Sequence, residues 1–134
     1  MPFMFEKLDV YQRAVDLADE IAARTEQFPR GYGFLVDQLN RAALSVATNI
    51  AEGNGRFTRP DRRNFFIIAR GSVQECVPLI EIARRRGLVD DTAAAVIAER
   101  LETIARMISG LINGLDKRPD PTAQRTPPRP SSHS

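Results

Sequence analysis

Residues 38–56 read Gln-Leu-Asn-Arg-Ala-Ala-Leu-Ser-Val-Ala-Thr-Asn-Ile-Ala-Glu-Gly-Asn-Gly-Arg, and this segment decides the fold. At about 100° per residue, a helix here carries apolar side chains on two sides and one narrow polar stripe between them. The polar stripe consists of Gln38, Arg41, Ser45, Asn49, Glu52 and Arg56. A helix that is apolar nearly all round is normally buried. In a chain of 134 residues, we expect a second copy to supply part of that cover. The side chains expected at this contact between copies are Val36, Ala43, Leu44 and Ala47.

The polar stripe is the first candidate site. Buried or half-buried polar side chains must be hydrogen-bonded to be tolerated, and Arg41 and Glu52 lie about three turns apart on one line. We therefore predict that each pairs with another helix or another copy, in a network that fixes helix register. The predicted network comprises Gln38, Arg41, Ser45, Asn49 and Glu52 of the second helix with Ser72 and Glu75 of the third. A ligand-binding channel is the alternative.

Helical spacing of the apolar residues predicts four helices and indicates no strand. They cover about Lys7–Gln27, Phe34–Asn54, a third from the N-cap Thr58 to near Gly87, and a fourth from Asp90 or Asp91 to near Leu115. In the fourth, apolar residues alternate at spacings of four and three, as in a helical bundle. The third contains Pro78, which removes one backbone hydrogen bond and favours a kink. The apolar phase is the same on both sides of this proline, so we predict one helix, with two shorter helices as the alternative.

Residues 117–134 differ from the rest of the chain, being rich in proline and poor in apolar residues. Such a segment cannot recover its ordering entropy by burial. The sequence therefore predicts one domain over residues 1–116 and a basic, disordered C-terminal tail. A proline-rich docking motif is the alternative interpretation of the tail.

The composition, with 43% apolar and 27% charged residues, is that of a soluble globular protein. No stretch approaches the roughly 20 apolar residues of a membrane span, and the first residues carry acids where a signal peptide needs an apolar run. The single cysteine, Cys76, excludes an internal disulfide. We therefore expect a cytoplasmic protein without a membrane partner.

Catalysis has little support in the sequence. The only histidine, His133, lies in the tail, so the domain has neither a histidine base nor a histidine-carboxylate metal cluster. Cys76 lies on the apolar face of the third helix with no histidine to activate it, which indicates an inert core thiol. We expect no enzymatic activity, no metal and no cofactor.

Basic residues are concentrated in the middle of the chain. Residues 28–87 hold ten basic and five acidic residues, a net charge of +5. The connection between the second and third helices contains two glycines, Phe57 and four arginines before a helix N-terminus, an arrangement that can hold phosphate. The side chains predicted to contact phosphate are Arg56, Arg59, Arg62, Arg63 and Arg70. An ordinary turn with solvated arginines is the alternative.

Several of these segments together resemble the intervening-sequence proteins, also called four-helix-bundle proteins, which are encoded in insertions within bacterial 23S ribosomal RNA genes. The resemblance covers about residues 5–115. It is carried by the run from Gln38 to Ala43, by Ser45, by Asn49 to Gly53, by Gly55-Arg56, and by Ala69 to Ser72 with Glu75. Asn40, where an arginine is frequent, and Pro78 depart from the family pattern.

The resemblance implies an antiparallel, up-and-down four-helix bundle that assembles as a ring, typically a homopentamer. It also implies kinship with the accessory proteins of diversity-generating retroelements, which bind a reverse transcriptase and nucleic acid. We therefore expect an all-α, non-catalytic homo-oligomer that binds RNA or DNA through arginines of the second and third helices. A scaffold for a partner enzyme such as a reverse transcriptase is the alternative. A small enzyme with Arg41 and Glu52 in a polar channel is a third hypothesis.

Overall fold

Four helices account for the part of the chain that the structure, a computed structural model, describes: residues 2–117, with side chains from residue 7 onward. The helices are α1 (Pro2–Thr25), α2 (Gly33–Gly55), α3 (Arg59–Arg85) and α4 (Asp91–Lys117). No strand occurs within these residues. Each helix packs against its two neighbours in the cycle α1–α2–α3–α4, and over the described residues the backbones of diagonal helices lie farther apart. The predicted all-α four-helix bundle is confirmed. The predicted tail lies outside the described residues, apart from Lys117, which ends α4.

The predicted starts of α3 and α4 are confirmed by their caps. The Thr58 hydroxyl accepts a hydrogen bond from the Asp61 backbone N–H at 3.3 Å, and Pro60 occupies the first turn. At the start of α4, the Asp90 carboxylate accepts from the Ala93 backbone N–H at 2.7 Å. Of the two aspartates that the sequence offered, Asp90 therefore caps the helix, since it satisfies a backbone donor that would otherwise be unpaired.

Pro78 lies inside α3 without dividing it, so the prediction of one helix is confirmed. Its ring is exposed to solvent. Proline leaves the carbonyl four residues before it, here that of Gln74, without its usual helical partner. Because Gln74 is also on the exposed face, water can satisfy that carbonyl.

The core lies along the centre of the bundle. The apolar stripe of α4 is buried as predicted, and its members are Ile97, Leu101, Ile104, Ile108, Leu111 and Leu115. Opposite it, α2 packs on both α1 and α3 of the same chain. Those two helices cover most of the apolar surface of α2, because they lie on either side of it.

This arrangement corrects part of the expected contact between copies. Ala43 and Ala47 belong to the core of the single chain, at 2% and 6% exposure. At these two positions the chain's own helices provide the cover that the sequence pattern attributed to a second copy. Val36 is half-buried, and Leu44 remains 58% exposed.

Candidate nucleic-acid interface

Residues 56–63, here called the arginine turn, connect α2 to α3 and are held in place at several points. The Arg56 backbone N–H donates to the Gly53 carbonyl at 3.4 Å, and the Arg56 carbonyl accepts from Nε of Arg62 at 2.5 Å. The Arg62 backbone N–H donates to the Thr58 carbonyl at 3.0 Å. The backbone of the turn is therefore tied both to the end of α2 and to the first turn of α3.

The guanidinium of Arg56 has two contacts at the surface. It pairs with the carboxylate of Glu52 at 3.4 Å, one helical turn earlier. Its Cζ also lies 4.7 Å from the centroid of the Phe65 ring, a cation–π arrangement. These contacts orient the guanidinium beside α3, and 44% of the side chain remains accessible to solvent.

The five arginines predicted to bind phosphate lie in two places. Four of them, Arg56, Arg59, Arg62 and Arg63, belong to the arginine turn, where Arg59 and Arg62 are half-buried. Arg63 pairs with Asp116 of α4 at 3.0 Å, and Arg70 donates to the Ser109 hydroxyl of α4 at 3.3 Å. Arg63 and Arg70 therefore lie along the α3–α4 interface. The sequence did not indicate that the five arginines would be divided between two places.

Part of the predicted polar network forms within one chain. The hydroxyls of Ser45 and Ser72 lie 2.8 Å apart between α2 and α3. The Asn49 side-chain amide donates to the Ser45 hydroxyl at 3.0 Å and to the Ser45 carbonyl at 2.8 Å. The Ser72 hydroxyl is also 3.2 Å from the Ile68 carbonyl. These bonds give the Ser45 and Ser72 hydroxyls and the Asn49 amide N–H groups partners at the α2–α3 contact.

The remaining members of the predicted network lie at the surface of the single chain. Gln38, Arg41, Glu52 and Glu75 are all exposed in the single chain. The single chain therefore leaves these four side chains uncovered, and their pairing with another copy stays a prediction. Glu52 pairs with Arg56, which lies one helical turn later in the chain. Arg41 and Glu52, which the enzyme hypothesis needs in a polar channel, are both exposed in the single chain.

A charge cluster that the sequence did not reveal joins α3 and α4. Nη2 of Arg84 lies 2.8 Å from Glu81, and Nη1 lies 3.2 Å from Asp91 of α4, while Arg85 pairs with Glu81 at 2.9 Å. Hydrogen bonds from Arg84 and then Arg85 hold the pKa of Glu81 at about 2. The same pairing raises the pKa of Arg84. Helical spacing could have indicated the contacts with Glu81, but not the one with Asp91.

An apolar groove of about 280 Å³ lies beside this cluster, between α3 and α4. Its apolar lining consists of Val77, Ile80, Ala94, Ala95, Ala98 and Leu101. Val77 is 50% exposed there. The groove is a surface on which an apolar side chain of another molecule can pack.

Cys76 lies in the core, as the sequence predicted. Burial, with a smaller contribution from the charge of Glu75, raises the pKa of its thiol to about 12. Within residues 7–117, no group of three His, Cys, Asp or Glu side chains is placed to hold a metal ion. None of the four helices, over the residues described, is both long and apolar enough to cross a bilayer.

Comparison with known proteins places these features in a family. The family model for the 23S rRNA-intervening sequence protein matches residues 6–110. A solved structure of a protein of unknown function from the S23 ribosomal protein family of Bacteroides thetaiotaomicron has the same fold. The two structures superpose with a TM-score of 0.71 at 18% sequence identity. The alignment covers 81% of this chain and 98% of the Bacteroides chain. None of the curated proteins matches the chain. Because the family model spans all four helices, the chain belongs to the 23S rRNA-intervening sequence protein family.

Proposed function

We propose that this protein is a cytoplasmic, non-catalytic homo-oligomer that binds RNA or DNA, with the arginine turn and neighbouring arginines of α3 contacting phosphates. The observation that carries the proposal is the arginine turn. It holds four arginines and one aspartate, a net charge of +3 within eight residues. Hydrogen bonds tie its backbone to both helices. Little conformational entropy of the backbone is therefore lost when a ligand binds.

The electrostatics of the turn favour an anionic ligand. Arg56 pairs with the carboxylate of Glu52 in α2 at the long distance of 3.4 Å and at the surface. Exposed pairs of this kind contribute little energy, so a phosphate can replace the carboxylate at small cost. Arg70, outside the turn, adds positive charge along the α3–α4 interface.

Assembly into an oligomer would place several copies of this weak binding site in one particle. The resemblance to the family implies a ring of five copies, and linked copies bind a long nucleic acid with higher avidity than one copy does. Leu44 on α2 is 58% exposed and Val36 is half-buried. Such side chains favour contacts between copies, since burying them removes apolar area from water.

Salt-dependent binding to nucleic acid tests the proposal. Affinity for a structured RNA is measured by fluorescence anisotropy across a salt series, for the wild type and for the double variant Arg56→Ala/Arg59→Ala. Each lost phosphate contact should flatten the plot of log K against log salt by roughly 0.7 to 0.9. We expect the double variant to lose about 1.5 units of slope.

The matched control is Arg13→Ala/Arg106→Ala, which removes two exposed arginines paired within their own helices. It changes the net charge equally but leaves the arginine turn intact. Binding without salt dependence, or equal losses in both variants, contradicts the proposal. Light scattering of the wild type reports the number of copies in the same preparation.

A scaffold for a partner enzyme is the second candidate function, and the α3–α4 groove favours it. Exposed Val77 beside a small apolar cavity is suited to receive a partner's side chain. Val77→Glu should abolish co-purification of such a partner without changing the mass of the oligomer. If the partner stays bound to this variant, the groove is not its docking site.

A further inference from the structure

Phe57 is the most exposed large apolar side chain among the described residues, at 97% of its accessible area. It occupies the position just before the N-cap of α3, where an apolar residue commonly packs against the fourth residue of the helix. That fourth residue is Arg62, whose Nε instead donates to the Arg56 carbonyl. Phe57 therefore has no local apolar partner, and helix capping does not explain its position.

The backbone on both sides of Phe57 is fixed. On one side the Arg56 carbonyl accepts from Arg62, and on the other the Thr58 hydroxyl accepts from the backbone of Asp61. Arg56 and Thr58 both have extended backbone angles, with ψ of 149° at each. The ring is thus exposed to solvent on a turn whose backbone is held by hydrogen bonds on both sides.

The charges around Phe57 select among its possible partners. Arg56 precedes it and Arg59 follows two residues later, and the arginine turn as a whole has a net charge of +3. A purely apolar pocket on a protein would have to desolvate or displace these guanidiniums, which is costly. A ligand that offers a flat apolar face next to a negative charge matches both features.

We infer that Phe57 is a stacking platform for an unpaired nucleobase of a single-stranded nucleic acid, with the adjoining phosphates held by Arg56 and Arg59. This rests on the proposed function and narrows it to unpaired strands. Exposed aromatic rings within positively charged surfaces bind single strands in this way, because every base has a face that can stack. Bases inside a duplex are already stacked on each other and cannot use the ring.

The test compares a single-stranded oligonucleotide carrying 2-aminopurine with the duplex of the same sequence, in RNA and in DNA, on the full-length protein. Phe57→Leu keeps an apolar side chain but removes the ring, and Phe57→Tyr keeps the ring. We expect Phe57→Leu to weaken single-strand binding by roughly 5- to 100-fold and to abolish stacking-induced quenching. Phe57→Tyr should retain both, and duplex affinity should be unchanged in either variant.

Phe34→Leu is the matched control. Phe34 is also exposed, at 63%, but it lies at the opposite end of α2. The two ends of this helix are about 33 Å apart, at 1.5 Å per residue. Phe34→Leu should therefore bind the single strand as the wild type does.

The outcomes separate this inference from the proposed function. If Phe57→Leu binds single strands as tightly as the wild type, with the same salt slope, the stacking role is wrong and the proposed function stands. If the wild type binds neither strand form, both fall. If Phe57→Leu changes the oligomer's mass in light scattering, the ring belongs to a contact between copies and the inference is overturned.

Discussion

The ring of Phe66 on α3 packs directly against the backbone of Gly53 on α2, leaving no room for a side chain at residue 53. A Cβ atom there would lie 2.6 Å from Cε1 of Phe66. Phe66 is fully buried, so its ring cannot swing out into solvent to make space. This contact brings the C-terminal end of α2 close to α3 at the point where the arginine turn begins.

Gly53→Ala should destabilise the protein even though alanine is the better helix former. The ordinary gain of about 0.5–1 kcal/mol for Gly→Ala inside a helix is outweighed by overpacking, which costs about 1–3 kcal/mol. We expect a lower free energy of unfolding in urea titrations. Gly71→Ala is the control, since Gly71 lies on the exposed face of α3 with nothing within 4 Å of its Cβ position. This variant should be more stable than the wild type, and equal shifts in both variants would contradict the packing argument.

Gly87 ends α3 in a left-handed conformation, with φ of +73°. The Gly87 N–H donates to the Arg84 carbonyl and the Leu88 N–H to the Ala83 carbonyl, which together form a Schellman motif. Gly87→Ala should lower the free energy of unfolding by about 1–2 kcal/mol, because a Cβ is disfavoured at this φ. Gly87→Asn should lose less, since asparagine tolerates the conformation better. Chemical denaturation of the three proteins is the measurement. If Gly87→Ala leaves the free energy of unfolding unchanged, residue 87 does not have the left-handed conformation in solution.

Ser45 and Ser72 should behave as a coupled pair. Ser72→Ala removes a buried hydroxyl that contacts both Ser45 and the Ile68 carbonyl, and we expect a loss of about 1 kcal/mol. The double variant Ser45→Ala/Ser72→Ala should cost less than the sum of the single ones, because the second change no longer breaks the shared hydrogen bond. A double-mutant cycle from urea titrations measures the coupling. Strict additivity would mean that the two hydroxyls do not interact in solution.

Glu81 should make stability depend on pH in the acidic range. Hydrogen bonds from Arg84 and Arg85 lower the pKa of Glu81 from 4.5 to about 2 in the folded protein. Between those values the unfolded chain binds more protons than the folded one, so this contribution is present above about pH 4.5 and is lost as the pH falls towards 2. The Glu81→Gln variant lacks this contribution. The difference in the free energy of unfolding between wild type and variant should therefore shrink as the pH falls from about 4.5 to 2. A difference that stays constant from pH 5 to pH 2 would show that Glu81 is not paired in solution.

Local patterns in the sequence predicted most of the fold. The helical spacing of apolar residues located four helices to within a few residues, apart from the start of α1, and the buried stripe of α4 follows it directly. The caps at Thr58 and Asp90 were also predictable, because a capping side chain reaches backbone groups only two or three residues away. The membership of Ser45, Asn49 and Ser72 in a polar network came from the same periodicity.

What the sequence by itself determined is which sides of each helix avoid water and where each helix begins and ends, since both depend on neighbours a few residues apart. The tertiary structure alone decided what covers those sides. It places Ala43 and Ala47 in the chain's own core, pairs Arg63 with Asp116, and leaves Phe57 exposed to solvent. The physical reason is that such contacts depend on how helices approach each other in space, and the periodicity of a single helix carries no information about the surface that meets it.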